Sequence, residues 1–229
     1  MIECIVLAGG LGTRLSSVVS DVPKCMAPVA GKPFLAHLLN YLESQFVDHV
    51  ILSLGYKAEV VIDYLRNKAY TFKVSWVIEK DPLGTGGGIK LALGKCKTDS
   101  VFVLNGDTMF KVDMRGMLLA KPDNVAIIMA LKPMHNYERY GTVLLNEQGR
   151  VIAFQEKQYK ESGLINGGVY LCKNLKEALS NYASAFSFER DFLELQMDNY
   201  LMHGFESDAY FIDIGIPEDY AQAQIDFRS

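Results

Sequence analysis

The sequence predicts an α/β fold: a mixed, mainly parallel sheet flanked by helices, with an antiparallel section at its carboxyl-terminal end. Three observations carry that reading. Over roughly the first 130 residues, short unbroken apolar runs alternate with helix-period segments, the pattern of strands buried on both faces. Beyond residue 140 the texture changes to strand pairs joined by turn residues. The chain of 229 residues, 49% hydrophobic and 22% charged, also suits one domain with a full-sized core.

Taken in order, apolar β-type runs lie at 2–8, 50–54, 74–78, 101–104 and 125–131. Between the first two, Phe34, Leu35, Leu38, Leu39 and Leu42 recur at helical spacing; Val60, Val61, Tyr64 and Leu65 do so after the second. Ile89, Leu91, Ala92 and Leu93 follow Pro82-Leu83-Gly84 and predict a third helix. Runs at 141–145 and 151–155 flank Asn146-Glu147-Gln148-Gly149, turn chemistry that predicts a hairpin. A strand at 168–171, helical patterns at 175–179 and 192–197, a strand at 210–214 and a helix from Pro217 complete the chain. No internal repeat, low-complexity stretch or linker interrupts it.

Composition excludes several function classes. Net charge is −4 with scattered basic residues, so no nucleic-acid partner is expected. No apolar stretch has membrane-spanning length, and no membrane partner is expected either. The start, Met1-Ile2-Glu3-Cys4, lacks a signal peptide pattern, which makes the cytoplasm the expected location. Cys4, Cys25, Cys96 and Cys172 show no CxxC spacing and read as reduced, mostly buried thiols. The four histidines form no HExxH pattern, so a histidine metal site is not expected.

The loop after the first strand, Leu7-Ala8-Gly9-Gly10-Leu11-Gly12-Thr13-Arg14-Leu15, carries the first chemical signal. Its glycines allow a sharp turn that presents backbone N–H groups to an anion. A dinucleotide fingerprint would need a third glycine where Leu15 stands, and an acidic residue ending a second strand that instead ends Ser53-Leu54-Gly55. No Gly-Lys-Ser/Thr follows, so the loop is not a Walker A loop. A tight structural turn stays open on the glycines alone. Thr13-Arg14, with Asp21-Val22-Pro23-Lys24 shortly after, argues for more than a turn.

Together with Pro23-Lys24-Cys25-Met26-Ala27-Pro28-Val29, this loop resembles the signature of the sugar-phosphate nucleotidyltransferases. Five further motifs follow in the family's order: Pro82-Leu83-Gly84-Thr85-Gly86-Gly87, Asn105-Gly106-Asp107, Glu156-Lys157, Asn166-Gly167-Gly168-Val169-Tyr170 and Asp213-Ile214-Gly215-Ile216-Pro217-Glu218-Asp219-Tyr220. The wording at 164–170 and 211–220 is most similar to the heptose 1-phosphate guanylyltransferases within that family. Cys25 stands where the family usually has a proline, and no hexapeptide repeats of the acyltransferase domain found in some relatives occur.

The resemblance implies a Rossmann-like nucleotide-binding half over about 1–130 and a sugar-phosphate-binding half over about 131–229. It implies a nucleoside triphosphate and a sugar 1-phosphate as substrates, with pyrophosphate as second product, and leaves a homo-oligomer open. The attacking phosphate oxygen is already an anion, so no general base is needed. Cations, positioning and a divalent metal carry the catalysis. Arg14 and Lys24 are expected to meet the triphosphate and leaving pyrophosphate, with Leu7, Ala8, Gly9, Gly10, Gly12 and Thr13 around them. Lys157 is expected to neutralise the sugar phosphate, while Glu156, Asn166 and the backbone at Gly141 hold sugar hydroxyls.

Asp107, at a strand end, and Asp213, inside an otherwise apolar strand, are the expected ligands of Mg²⁺, a hard cation that prefers oxygen. Glu79 is expected to select the base. A carboxylate can only accept hydrogen bonds, and guanine offers two adjacent donors, whereas uracil needs a partner that also donates. Backbone groups at Gly84, Thr85 and Gly86 would complete that base site. On these readings the nucleotide is GTP, with D-glycero-α-D-manno-heptose 1-phosphate the favoured acceptor and α-mannose 1-phosphate its rival.

Overall fold

The computed structural model describes residues 1–10, 15, 19, 21–120 and 124–228. Its framework is a nine-stranded sheet. The first half contributes β1 (Glu3–Ala8), β4 (His49–Leu54), β5 (Lys73–Ile78) and β6 (Ser100–Asn105), all parallel, in the spatial order β6-β1-β4-β5. A small antiparallel pair, β2 (Pro28–Val29) with β3 (Lys32–Pro33), precedes α1 (Phe34–Ser44); α2 is Ala58–Arg66 and α3 Gly84–Ala92. The predicted strands and helices of this half therefore form where their apolar periodicity placed them.

Side chains alternate between two cores. Cys4, Val6 and Ala8 of β1 join Val50, Leu52 and Leu54 of β4 and Phe102 and Leu104 of β6 under α1 and α2. Ile5, Ile51, Val101 and Val103 face the other way, towards Ile89 and Ala92 of α3. This period-two split explains why the strands read as unbroken apolar runs: both faces are covered.

The second half is joined onto β6 through one long strand, so a single sheet crosses the expected boundary near residue 130. That strand, β11 (Lys160–Lys173), pairs antiparallel with β6, with β8 (Ile127–Tyr137) and, at Leu164 and Ile165, with β9 (Thr142–Leu145). The predicted hairpin is present: β10 (Val151–Gln155) pairs antiparallel with β9, and Gly149 closes the turn at φ +76°. Besides the two-residue strands β2 and β3, three elements lack a sequence signal because they are short or half-exposed. These are β7 (Thr108–Phe110), α4 (Met114–Leu119) and β12 (Met202–Glu206), which lies parallel to β8.

The helix expected at 192–197 forms earlier instead, as a π-helical segment over Phe188–Glu194. It follows a short α5 (Leu175–Ala178). Its start is fixed by Ser187, whose Oγ accepts from Arg190 N, while Ser187 N donates to Asp191. Phe188 and Phe192, four apart, are then both buried. The predicted 210–214 strand is β13 (Phe211–Asp213), paired with β7 rather than with the main sheet, and α6 (Pro217–Asp226) closes the fold.

At the amino ends of the parallel strands, Glu3 is fully buried. Burial pushes its carboxyl pKa up, but hydrogen bonds from His49 and Thr98, and from the Lys97 and Thr98 backbone, outweigh it and hold the carboxyl below the ordinary value of 4.5. A depressed carboxylate pKa contributes stability that is present above that ordinary value and lost as pH falls through the folded one. The denaturation midpoint should therefore drop as pH falls below about 4.5, and Glu3→Gln should show a shallower drop. Parallel pH curves for the two proteins would refute this.

Candidate active site

The strand order reverses at β1: β4 lies on one side of it and β6, much later in the chain, on the other. Such switch points leave a crevice at the carboxyl ends of the strands. A cleft of about 670 Å³ opens there. Leu7, Ala8, Gly9 and Gly10 at the end of β1 and beyond it, Gly55 and Tyr56 after β4, Glu79 after β5, and Asn105, Gly106 and Asp107 at the end of β6 and beyond it line the cleft.

Beneath this rim three charged side chains converge. Lys24, on a 3₁₀ turn over Lys24–Met26, places Nζ 2.5 Å from Asp107 Oδ2 and 3.5 Å from Asp213 Oδ1. The lysine side chain is only 10% exposed, against 36% for Asp107 and 24% for Asp213. The β7–β13 ribbon sets the carboxylates: Asp213 lies opposite Thr108, and Ile214 N donates to Asp107 O at 3.0 Å. Gly215 packs close beside them. A Cβ there would come within 2.8 Å of Asp213 Oδ1 and 2.9 Å of Lys24 Nζ.

Two carboxylates around one buried ammonium form a strongly polar, oxygen-rich site. The donor set fits a hard divalent cation, for which oxygen ligands are preferred. Arg139 adds a cation that the sequence did not single out. It donates to Asp219 at 2.7 Å, at the start of α6. Burial pulls its pKa down, but Asp219, Tyr140 and Asp213 prevail and leave it raised.

Glu79 lines the cleft, but its carboxylate already serves the protein. Oε1 accepts from Ser53 Oγ at 2.9 Å and Oε2 from Leu83 N at 3.1 Å, closing the loop into α3. Each oxygen retains a second lone pair for a further donor. Gly84 and Thr85 also line the cleft. The Thr85 hydroxyl is turned inward, donating to Glu189 at 2.7 Å and accepting from Phe188 N at 2.8 Å, which leaves its backbone to a ligand. Gly86 departs from expectation, since it is buried against Phe186 and does not line the cleft. A Cβ on it would meet that ring at 2.2 Å, so close packing is what its glycine serves.

The expected sugar residues lie apart from this cleft lining. Glu156 and Lys157 are exposed just beyond β10, and Gly141 precedes β9. Glu156 is near enough to Glu194 to raise the latter's pKa, second only to burial. Asn166 sits at a bulge in β11, its Oδ1 accepting from Gly168 N at 3.0 Å and its Nδ2 donating to Tyr170 at 2.7 Å. Gly12, Thr13 and Arg14 fall outside the described residues.

Tyr56, Asn105 and Lys80 line the cleft without having been singled out. Only Asn105 was legible, as the residue preceding Gly106-Asp107. Cys25 is a packing residue: it is buried, and desolvation pushes its thiol up to about 12, far from a reactive thiolate. None of the four cysteines is in a disulfide. Among the described residues, no helix is long and apolar enough to cross a membrane.

Comparison with known proteins agrees with this architecture. The family described as nucleotidyl transferase matches residues 3–229. The chain is 49% identical to D-glycero-alpha-D-manno-heptose 1-phosphate guanylyltransferase of Aneurinibacillus thermoaerophilus, over 97% of this chain and 96% of that protein. It is 34% identical to mannose-1-phosphate guanylyltransferase of Mycobacterium tuberculosis, over 98% of this chain and 64% of that one. The crystal structure of HddC from Yersinia pseudotuberculosis complexed with GMP-PN superposes with a TM-score of 0.88 and 39% identity, covering 99% of this chain and 100% of that one. Matched to it along nearly its whole length, this chain belongs to the nucleotidyl transferase family.

Proposed function

We propose that the protein transfers GMP from GTP to D-glycero-α-D-manno-heptose 1-phosphate, releasing pyrophosphate. The observation that carries the reaction class is Lys24 held between Asp107 and Asp213 at the switch-point cleft. The choice of substrates is supported by 49% identity to a heptose 1-phosphate guanylyltransferase along nearly the full length of both chains.

In this reading a phosphate oxygen of the sugar 1-phosphate attacks the α-phosphorus of GTP. A new P–O bond forms as the bond to the β-phosphate oxygen breaks, and pyrophosphate leaves with its electron pair. Gly9 and Gly10 offer backbone N–H groups to the triphosphate. The Lys24 ammonium neutralises phosphate charge, as does Arg14. Asp107 and Asp213 would hold Mg²⁺, which when bound supplies a Lewis-acid charge for the reacting phosphates. Glu79 accepts from the guanine edge while Gly84 and Thr85 offer backbone groups to the base. Lys157 compensates the acceptor phosphate, and Glu156, Asn166 and the backbone at Gly141 orient its hydroxyls.

Pyrophosphate release with GTP, measured for heptose, mannose and glucose 1-phosphates, tests the reading. The heptose phosphate should give the highest kcat/KM, and a clear preference for glucose 1-phosphate would overturn it. Lys157→Ala should raise KM for the sugar phosphate by roughly 10- to 150-fold, the value of one charged hydrogen bond, with far less effect on KM for GTP. Equal losses for both substrates would remove Lys157 from the acceptor site.

A further inference from the structure

The geometry points to Arg139 as a positioning residue that clamps the acceptor loop to the segment carrying Asp213, so that the sugar phosphate and that carboxylate are placed together. This inference rests on the proposed acceptor and metal sites, and adds Arg139, Tyr140 and Asp219, which neither site contains.

The need for a clamp follows from the ribbon on which Asp213 stands. Strand β13 forms with β7 a separate two-stranded sheet of three residues per strand, and Asp213 is its last residue. A pair that short is marginal by itself, so its position depends on what packs against it.

The loop over 138–141, between β8 and β9, supplies that packing from the acceptor side. Its base is closed by the Tyr137 and Thr142 hydroxyls, 2.7 Å apart. Thr142 pairs with Gln155, which sets Glu156 and Lys157, the next residues of the chain, beside Gly141. Two consecutive side chains of this loop reach the other way. Tyr140 lies edge to face with Phe211 at 5.9 Å, and Phe211 does the same with Phe110, its partner across the ribbon, at 5.7 Å. Arg139 donates from Nη2 to Asp219 Oδ2 at 2.7 Å, in the first turn of α6, and its guanidinium sits 5.5 Å from the Tyr140 ring centre. Phe211 and Asp219 bracket Asp213, two residues before it and six after it. The loop therefore holds the carboxylate's segment at both ends.

Magnitudes decide what such a clamp does. The Arg139 side chain is 43% exposed, so its ion pair is screened by solvent and adds little to global stability. Misplacing a reacting group by about 1 Å, in contrast, costs on the order of 10²-fold in rate. The pair is suited to fixing a geometry rather than to holding the fold. Lysine would keep the charge but lose the planar group that lies over Tyr140.

The test is a double-mutant cycle on Arg139 and Asp219, read by pyrophosphate release from GTP and heptose 1-phosphate. Arg139→Ala and Asp219→Ala should each lower kcat by roughly 10- to 100-fold and raise KM for the sugar phosphate, with KM for GTP within about twofold of wild type. The double variant should fall within about twofold of the worse single variant, because both changes break the same clamp. Arg139→Lys should recover part of the loss. Melting temperatures should drop by no more than about 4 °C. Titration calorimetry with a GTP analogue that carries nitrogen between its α- and β-phosphorus atoms, and so cannot transfer GMP, should show heptose 1-phosphate binding weakened in both single variants. Losses that multiply in the double variant, full activity in Asp219→Ala beside an inactive Arg139→Ala, or an equal rise in KM for GTP would overturn the inference and leave the proposed reaction standing. Wild-type protein that releases no pyrophosphate from GTP with either heptose or mannose 1-phosphate would sink both.

Discussion

Asp107→Asn and Asp213→Asn should each lower kcat by roughly 10³-fold or more, the several kcal/mol that a metal clamp contributes to a phosphoryl transition state. The structure sharpens what each change removes. Both carboxylates face the same buried ammonium, so either substitution also leaves Lys24 with one partner instead of two. Metal binding separates the two effects. Calorimetric Mg²⁺ titration with the GTP analogue present should show weakened binding in both variants, whereas Lys24→Met should retain a metal site and lose turnover. The far-ultraviolet spectra should be unchanged, since neither aspartate is fully buried. Near-wild-type turnover in either variant, or undiminished turnover of the wild type in excess chelator, would refute the assignment.

Glu79→Gln should lower the ratio of kcat/KM for GTP over UTP by about 10- to 150-fold, equivalent to one charge-assisted hydrogen bond. The argument is one of counting acceptors. In the wild type Ser53 Oγ and Leu83 N each occupy one oxygen of Glu79, and the second lone pairs stay available to guanine N1–H and its amino group. A glutamine offers one oxygen only. Leu83 N can donate to nothing but that oxygen, so the amide nitrogen turns to Ser53, whose hydroxyl can accept. One guanine donor then faces an N–H group. Ser53→Ala serves as the control, because it frees Glu79 Oε1 without changing its charge and should leave the nucleotide preference within about threefold. An unchanged ratio in Glu79→Gln, or a wild type that prefers UTP, would remove Glu79 from base selection.

The sequence by itself determined the framework and the identity of the charged residues. Long runs with strong apolar periodicity have one way to bury themselves, so strands β1, β4, β5 and β6 and helices α1 and α2 were legible without tertiary information. The motifs that resemble the nucleotidyltransferases singled out Lys24, Asp107 and Asp213, and Asp213 stood out further as a carboxylate within an apolar strand, costly there without a partner. What the sequence could not contain was who partners whom. Lys24 and Asp107 are 83 positions apart and meet only in the folded chain, and Asp213 joins them because the three-residue strands β7 and β13 pair in a register that sets it opposite Thr108. Strands that short carry no periodicity to read. Tertiary structure also decided that Glu79 is shared between the α3 loop and the cleft, that Gly86 is packed under Phe186, and that the Tyr170 hydroxyl accepts from Asn166. The physical reason is common to all three. A side chain's hydrogen-bond capacity is fixed by its chemistry, but which partners fill that capacity depends on backbone placement to within a few tenths of an ångström, and only packing of the whole chain sets that placement.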